Sequence, residues 1–329
     1  MTGDLAIPNL PDAVQQLLQQ IEPGRFTTYG DLARTLGDVR AARWVGEYLL
    51  DHPHTDNCGC HRVVRADGHL GLYITGDSEA KTQRLAAEGV AIRAGRVDIA
   101  SRVMPAEFDS DAPLQRLQEF QARLAQQVDE RPLKRPPELY CGLDVAYRSD
   151  GTGMAAAVLL EADSLQTMAE FTYTAPATFP YIPGYLTFRE LPLLRAVWNQ
   201  VRSTVNQSVL CLVDGNGRLH PRQAGIASCF GVLTETPTIG IAKKQLCGRL
   251  SEDDSLPSPA VAILDGDDVI GVSLPSSSPR HPLYISVGSG LSLTEAVAHV
   301  CRTLVGHRLP EPTYRADQLS KQAKRSFPT

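Results

Sequence analysis

Three acidic residues stand at positions that could serve chemistry. Asp144 lies inside the apolar run Cys141-Gly-Leu-Asp-Val-Ala-Tyr147. A carboxylate there is destabilising unless something neutralises it. Asp214 sits at the exit of Val209-Leu-Cys-Leu-Val213, the place where a parallel strand presents a functional side chain. Glu190 opens a helical stretch after the unusual run Phe179-Pro-Tyr-Ile-Pro-Gly-Tyr185. Each acid alone fits a capped turn or a salt bridge equally well. Brought together, the three make an oxygen-rich site suited to Mg2+ or Mn2+. Such an ion activates water and stabilises charge on a phosphodiester.

A second segment with chemical potential is Asn57-Cys-Gly-Cys60-His61-Arg62. A neighbouring base promotes the thiolate, so Cys60 followed by His-Arg is compatible with an activated nucleophile. The same Cys-x-Cys-His run also fits part of a metal site. A structural zinc site needs a second ligand pair, and none is apparent in the sequence, which favours the thiol reading.

These residues fall in two periodic regions joined by a connector. Residues 7–97 read as a small, mostly helical domain. Apolar residues recur at helical spacing over Pro11–Ile21, closed by Pro23-Gly24, and two short helices over Tyr29–Leu36 and Ala41–Leu50 flank Gly37-Asp38. That spacing is of the helix-turn-helix kind. Residues 98–110 show no clear period and contain a proline, as a linker would. Residues 111–322 open with an amphipathic helix over Leu114–Val128. Strand-like segments follow at Leu139–Tyr147, Met154–Leu160 and Met168–Tyr173, with a hairpin signal at Asp150-Gly151. A helix over Thr187–Val201, the strand Val209–Val213, a helix over Arg222–Leu233 and the strand Thr238–Ala242 complete the reading. Three antiparallel strands followed by alternating helix and strand predict an α/β fold: a ribonuclease H-like mixed sheet with flanking helices. It is preceded by a small winged-helix-like, helix-turn-helix domain.

Composition constrains the partners. The net charge of −5 is not the footprint of a generic nucleic-acid binder, and it is spread evenly along the chain. The exception is Arg302–Arg325, with six basic residues and two acidic ones. The seven cysteines are odd in number and match no disulfide framework, so free thiols in a reducing compartment are expected. No apolar run is long enough to span a bilayer. Met1-Thr-Gly-Asp4 lacks the pattern of a secretory signal. A cytoplasmic monomer without membrane association is expected.

From about Leu114 to Ala323 the chain resembles the endonuclease V family. The resemblance rests on an ordered set of motifs: Gly142-Leu-Asp144-Val-Ala, Phe179-Pro-Tyr181-Ile-Pro183-Gly with Phe188-Arg189-Glu190, Val213-Asp214-Gly-Asn-Gly-Arg-Leu-His220-Pro-Arg222, Pro237-Thr-Ile-Gly-Ile-Ala-Lys243-Lys244, and Arg308-Leu-Pro-Glu-Pro-Thr313. It implies Asp144, Glu190 and Asp214 as metal-site carboxylates, with Asp317 beside the metal. Lys243 is implied as an active-site lysine, able to hold a phosphate or the attacking water as a point charge. His220 is implied near the scissile strand. Pro180, Tyr181, Ile182 and Pro183 are implied as a DNA-contacting wedge whose aromatic ring fills the gap left by an extruded base. The implied reaction nicks the strand 3′ to deoxyinosine; inosine-containing RNA is the alternative substrate. Two positions where the family often carries histidine are Cys229 and Ser289 here.

Residues 7–92 resemble the DNA-binding half of O6-alkylguanine-DNA alkyltransferases. The matching residues include Ile21-Glu-Pro-Gly24, Thr28-Tyr29-Gly30, Ala41-Ala-Arg43-Trp-Val-Gly46, Cys60-His-Arg-Val-Val64, Lys81 and Glu88-Gly89-Val90. The resemblance implies Cys60 as a stoichiometric alkyl acceptor, His61 as its base and Glu88 as the group orienting His61. It implies DNA contacts from Arg43, Tyr29 and Arg62. The family usually has proline where Gly59 stands, and an Asn-Pro where this chain has His52-Pro53. Alkyltransferase-like proteins share the shortened outline and sense lesions without repairing them, but they lack the acceptor cysteine; Cys60 favours transfer. The expected whole is a bifunctional repair protein acting on DNA that carries deoxyinosine or O6-alkylguanine.

Overall fold

A computed structural model describes residues 6–55, 57–74, 76, 78–251, 260–275 and 281–326. The Met1-Thr-Gly-Asp4 stretch read above lies outside them. The chain divides into two compact units. One comprises the described residues up to Glu119 together with Thr178–Tyr185; the other comprises Phe120–Ala177 and the described residues from Leu186 onward. No helix among the described residues is long and apolar enough to cross a membrane.

The smaller unit contains α1 (Leu10–Gln19), β1 (Thr27–Thr28), α2 (Tyr29–Thr35), α3 (Ala42–Asp51), β2 (Val63–Val64), α4 (Ser78–Ala87), β3 (Ile92–Arg93) and β4 (Arg96–Val97). Asn9 caps α1, and Thr28 caps α2 by accepting from the Asp31 N–H at 3.0 Å. β1 and β2 pair in parallel, and Phe26, Val64, Leu70, Leu85, Val90 and Val97 form a core. The stretch expected as a linker belongs to this unit. The Val103 N–H donates to the Phe26 carbonyl at 2.7 Å, Thr27 Oγ1 donates to the Val103 carbonyl at 2.9 Å, and Val103 is buried. Phe26 and Thr27 thus consume the backbone groups that a free connector would leave to water.

A helix α5 (Pro113–Ala125) leads to the larger unit, which runs β5 (Leu139–Tyr147), β6 (Thr152–Glu161), β7 (Thr167–Pro176), α6 (Leu186–Thr204), β8 (Val209–Asp214), α7 (Ile226–Thr234), β9 (Thr238–Ala242), β10 (Arg249–Leu250), β11 (Val261–Asp265), β12 (Asp268–Leu274), β13 (Leu283–Ser289), α8 (Leu293–Thr303) and α9 (Glu311–Ser326). The strands form one sheet in the order β10-β11-β12-β13-β9-β8-β5-β6-β7. β5, β8 and β9 are mutually parallel, whereas β6 and β7 continue antiparallel from β5, as the hairpin signal implied. α7 begins at Ile226, not at Arg222. Gln223 takes a positive φ of 49°, and the Gly225 N–H is spent on the Gly217 carbonyl at 2.9 Å, so the preceding residues form a turn.

One close approach positions the site. An added Cβ at Gly142, on β5, would penetrate the carbonyl of Pro312 in the first turn of α9. Only glycine lets that helix lie directly on the strand. Gly142→Ala is therefore expected to force α9 away from β5. It should lower stability by roughly 1–3 kcal/mol, the usual cost of overpacking, as read by denaturant unfolding of the full chain. A stability equal to the parent would contradict the packing described.

Candidate active sites

The parallel strands set the geometry of the first site. Leu143 on β5 is in register with Val213 on β8, so Asp144 and Asp214 follow side by side. Asp214 pairs with Ile241 on β9, and Lys243 emerges just past the end of that strand. α9 adds Asp317, Ser320 and Lys321 at helical spacing. Carboxylate oxygens of Asp144, Asp214 and Asp317 lie within 4.8 Å of one another. They line a cleft of about 400 Å3 that also includes Glu190, Lys243, Lys321 and Lys324.

Electrostatics show what the cluster lacks. Burial, and then the neighbouring charge of Asp214, pushes the Asp144 carboxyl up to about 7, although Ser320 Oγ donates a hydrogen bond to it. Glu190 is raised well above the ordinary range by burial and by Asp144 and Asp214. Two lysines supply partial compensation. Lys243 Nζ lies 2.5 Å from Asp214 and 3.6 Å from Asp317, and Lys321 Nζ lies 2.6 Å from Asp317. Against the burial that opposes its charge, Asp214, Asp317 and Asp144 hold Lys243 above its usual value. Burial first, and then the crowding of like charges, disfavours the Asp144 carboxylate. An oxygen-ligated divalent ion offsets that crowding.

Other expected residues are placed differently. His220 is buried and does not line the cleft; its Nδ1 accepts from the Arg222 N–H at 3.2 Å. Cys229 is buried in the core within α7, and Ser289 Oγ accepts the Asp129 N–H at 3.1 Å. In the proline-flanked loop Tyr181 is 64% exposed, Pro183 is exposed and Pro180 is partly buried. Ile182 is fully buried, so its side chain anchors the loop and is not available to DNA. Phe179 is buried too, and Tyr185 Oη donates to Asp38 at 2.6 Å, leaving Tyr181 as a braced aromatic tip.

In the smaller unit Cys60 is buried on a 3-10 turn. His61 Nε2 meets Glu88 Oε1 at 2.8 Å, and the buried His61 Nδ1 has no hydrogen-bond partner among the described residues. Burial lowers His61 despite Glu88, so the ring is neutral with its proton on Nε2. Against the desolvation that opposes its charge, hydrogen bonds from Arg62, His61 and the Gly24 N–H hold Glu88 at about 2. Arg62 is spent on Glu88 and the Ile21 carbonyl; it is a scaffold for Glu88 and not a free DNA contact. Arg43 projects from α3 with its side chain 90% exposed, paired to Glu47. Tyr29 is half-buried, and its Oη accepts from the buried Lys81 at 3.3 Å. No second ligand pair beside Cys58 and Cys60 is apparent in the sequence, but the structure brings His52 and His54 to them. His-x-His ahead of Cys-x-Cys was the signal available.

A profile of the Endonuclease V family matches residues 122–318, and one of the 6-O-methylguanine DNA methyltransferase DNA-binding domain matches residues 9–90. Two proteins named bifunctional methyltransferase/endonuclease are similar to the chain. That of Picrophilus torridus is 39% identical over 234 residues, covering 71% of this chain and 74% of its own. That of Thermoplasma volcanium is 37% identical over 282 residues, covering 85% and 80%. Among solved structures, the catalytic domain of human endonuclease V superposes with a TM-score of 0.60 at 32% identity, covering 66% of this chain and 98% of that one. Endonuclease V of Streptomyces avermitilis gives 0.57 at 34% identity, covering 64% and 92%.

The raised Asp144 carboxyl has a signed consequence for stability. Between its unfolded value of 3.8 and about 7, the folded chain binds more protons than the unfolded one. Stability of the metal-free protein should therefore fall as pH rises across that window. Thermal unfolding in chelator should show the decline, and Asp144→Asn should make it shallower, leaving the part that the raised Glu190 contributes. An equal slope in both proteins would refute the assignment.

Proposed function

The chain belongs to the endonuclease V family, and we propose that it is a two-site repair protein, nicking DNA 3′ to deoxyinosine at one site and taking alkyl groups from O6-alkylguanine at the other. The observation that carries the first activity is the meeting of Asp144, Asp214 and Asp317 beside Lys243 in one cleft. A divalent ion of the Mg2+ or Mn2+ class, held by these carboxylates with Glu190 close by, supplies water activation and charge stabilisation when bound. Lys243, Lys321 and Lys324 present ammonium groups to a phosphodiester entering the cleft. Tyr181, stiffened by its prolines, is the ring that replaces an extruded base in the stack.

The second activity rests on Cys60, His61 and Glu88. Glu88 fixes His61 through Nε2, leaving the Nδ1 lone pair free to take the thiol proton through an intervening water. Sulfur then attacks the alkyl carbon. The S–C bond forms, the C–O bond breaks, and its electron pair stays on the purine, which takes up a proton to become guanine. The thioether persists, so each chain reacts once.

Each activity has its own variant. Asp144→Ala should lower nicking of a deoxyinosine duplex by about 10² or more, while the chain still gains one methyl group in mass from an O6-methylguanine duplex. Cys60→Ala should do the reverse. Loss of both activities in either variant, with folding intact, would refute separate sites. Tyr181→Ala should weaken deoxyinosine-duplex binding by roughly 1–3 kcal/mol, the worth of one base–aromatic stack. Unchanged affinity in a fluorescence-anisotropy titration would remove Tyr181 from the interface.

A further inference from the structure

The turn after α3 brings two imidazoles to two thiols. His52 Nδ1 lies 3.1 Å from the Leu49 carbonyl, which only accepts, so the proton sits on Nδ1 and the Nε2 lone pair faces Cys58 Sγ at 3.4 Å. His54 Nδ1 lies 3.2 Å from Cys58 Sγ and 3.6 Å from Cys60 Sγ, while its Nε2 meets Tyr73 Oη at 3.4 Å. Each ring thus offers one nitrogen to sulfur and has the other held by an oxygen, the arrangement that orients metal-ligating histidines. Gly59, with φ of 69°, reverses the chain between the cysteines so that both thiols share one side. All four donor atoms lie within 4.8 Å of one another.

We propose that His52, His54, Cys58 and Cys60 form a tetrahedral site for a zinc-class divalent ion, with the alkyl-acceptor cysteine as one of its ligands. Zn–S and Zn–N bonds of about 2.3 and 2.0–2.1 Å at tetrahedral angles set S···N edges of about 3.6 Å, and the observed contacts of 3.2, 3.4 and 3.6 Å reach that separation at their long end. A single proton cannot satisfy His54 Nδ1 against two sulfurs at once; a shared cation does. Two thiolates and two imidazoles select zinc over the hard ions suited to the acidic cleft. His52 and Cys60 are buried, whereas His54 is exposed, giving an ion a route of entry.

The site stands on its own geometry; its coupling to repair rests on the acceptor reading above. With the ion bound, the Cys60 proton has already left for solvent and His61 need not remove it. Alkyl transfer breaks the C–O bond to the purine, which takes a proton from solvent, and leaves a neutral thioether on Cys60. A thioether is a weaker ligand than a thiolate, so transfer and ion release are linked.

Cobalt reports the site directly. The full chain, reduced and stripped by chelator, is titrated with Co2+ in excess Mg2+, which occupies the acidic cleft. A single Co2+ is expected to give thiolate-to-metal charge transfer and the intense visible bands of a tetrahedral complex, both erased by equimolar Zn2+. Cys58→Ser and Cys60→Ser should each abolish the charge transfer or weaken Co2+ binding by at least about 100-fold, beyond the 10–100-fold typical of losing an outer partner. Cys301→Ser, an exposed thiol elsewhere, should leave it intact. Absence of thiolate charge transfer in the parent chain overturns the proposal, whatever the variants do. Pre-reaction with an O6-methylguanine duplex should add one methyl group and diminish the charge transfer. A full cobalt signal with no gain in mass supports the site and overturns only the acceptor reading.

Discussion

The larger unit is organised around the cost of placing Asp144 on an interior strand. Asp214 stands beside it on β8, and Asp317 faces both from α9. Three carboxylates so close raise one another's free energy. The lysines at the strand end and on the helix relieve part of that, and burial makes the remainder more severe. The fold is stable with this cluster because apolar runs in β5, β8 and β9 bury enough surface around it. What the sheet tolerates as a cost in the free protein is the attraction it offers to a cation.

That arrangement depends on contacts made far away in sequence. Gly142 admits α9 to the backbone of β5 two residues before Asp144, and the same helix delivers Asp317, Ser320 and Lys321. Close approach and charge clustering are therefore one feature. A side chain at position 142 would move the third carboxylate and one of its two lysines together.

The central strands of the sheet were legible because they are dominated by apolar residues, broken in β5 only by Gly142 and Asp144. Leu139–Tyr147 and Thr238–Ala242 appear in the structure with the limits read from sequence. α9 carries no such signal. Its buried face is Thr313, Ala316, Asp317 and Ser320, small or polar residues that periodicity of hydrophobicity cannot register. Asp317 was therefore reachable only through resemblance. β11 to β13 were also unread, since they mix Asp, Gly and Ser with apolar residues and join the sheet antiparallel beyond β9. Ile182 and Arg62 illustrate the converse error. A residue type that suits DNA contact says nothing of whether the side chain is already consumed, Ile182 by the core and Arg62 by Glu88.

The smaller unit repeats the problem of gathered ligands in different chemistry. Its departures from the alkyltransferase pattern, His52 and Gly59, fall at the turn where Cys58 and Cys60 converge, as a ligand and as the reversal that aligns two thiols. Carboxylates and ammonium groups in one unit favour a hard ion with oxygen ligands; thiols and imidazoles in the other favour a softer one. Because hardness, rather than raw affinity, separates the two clusters, one chain can present both without either drawing the other's metal. Substitution at one cluster should then leave the ion preference of the other intact, which is the physical condition for two chemistries to coexist in a single polypeptide.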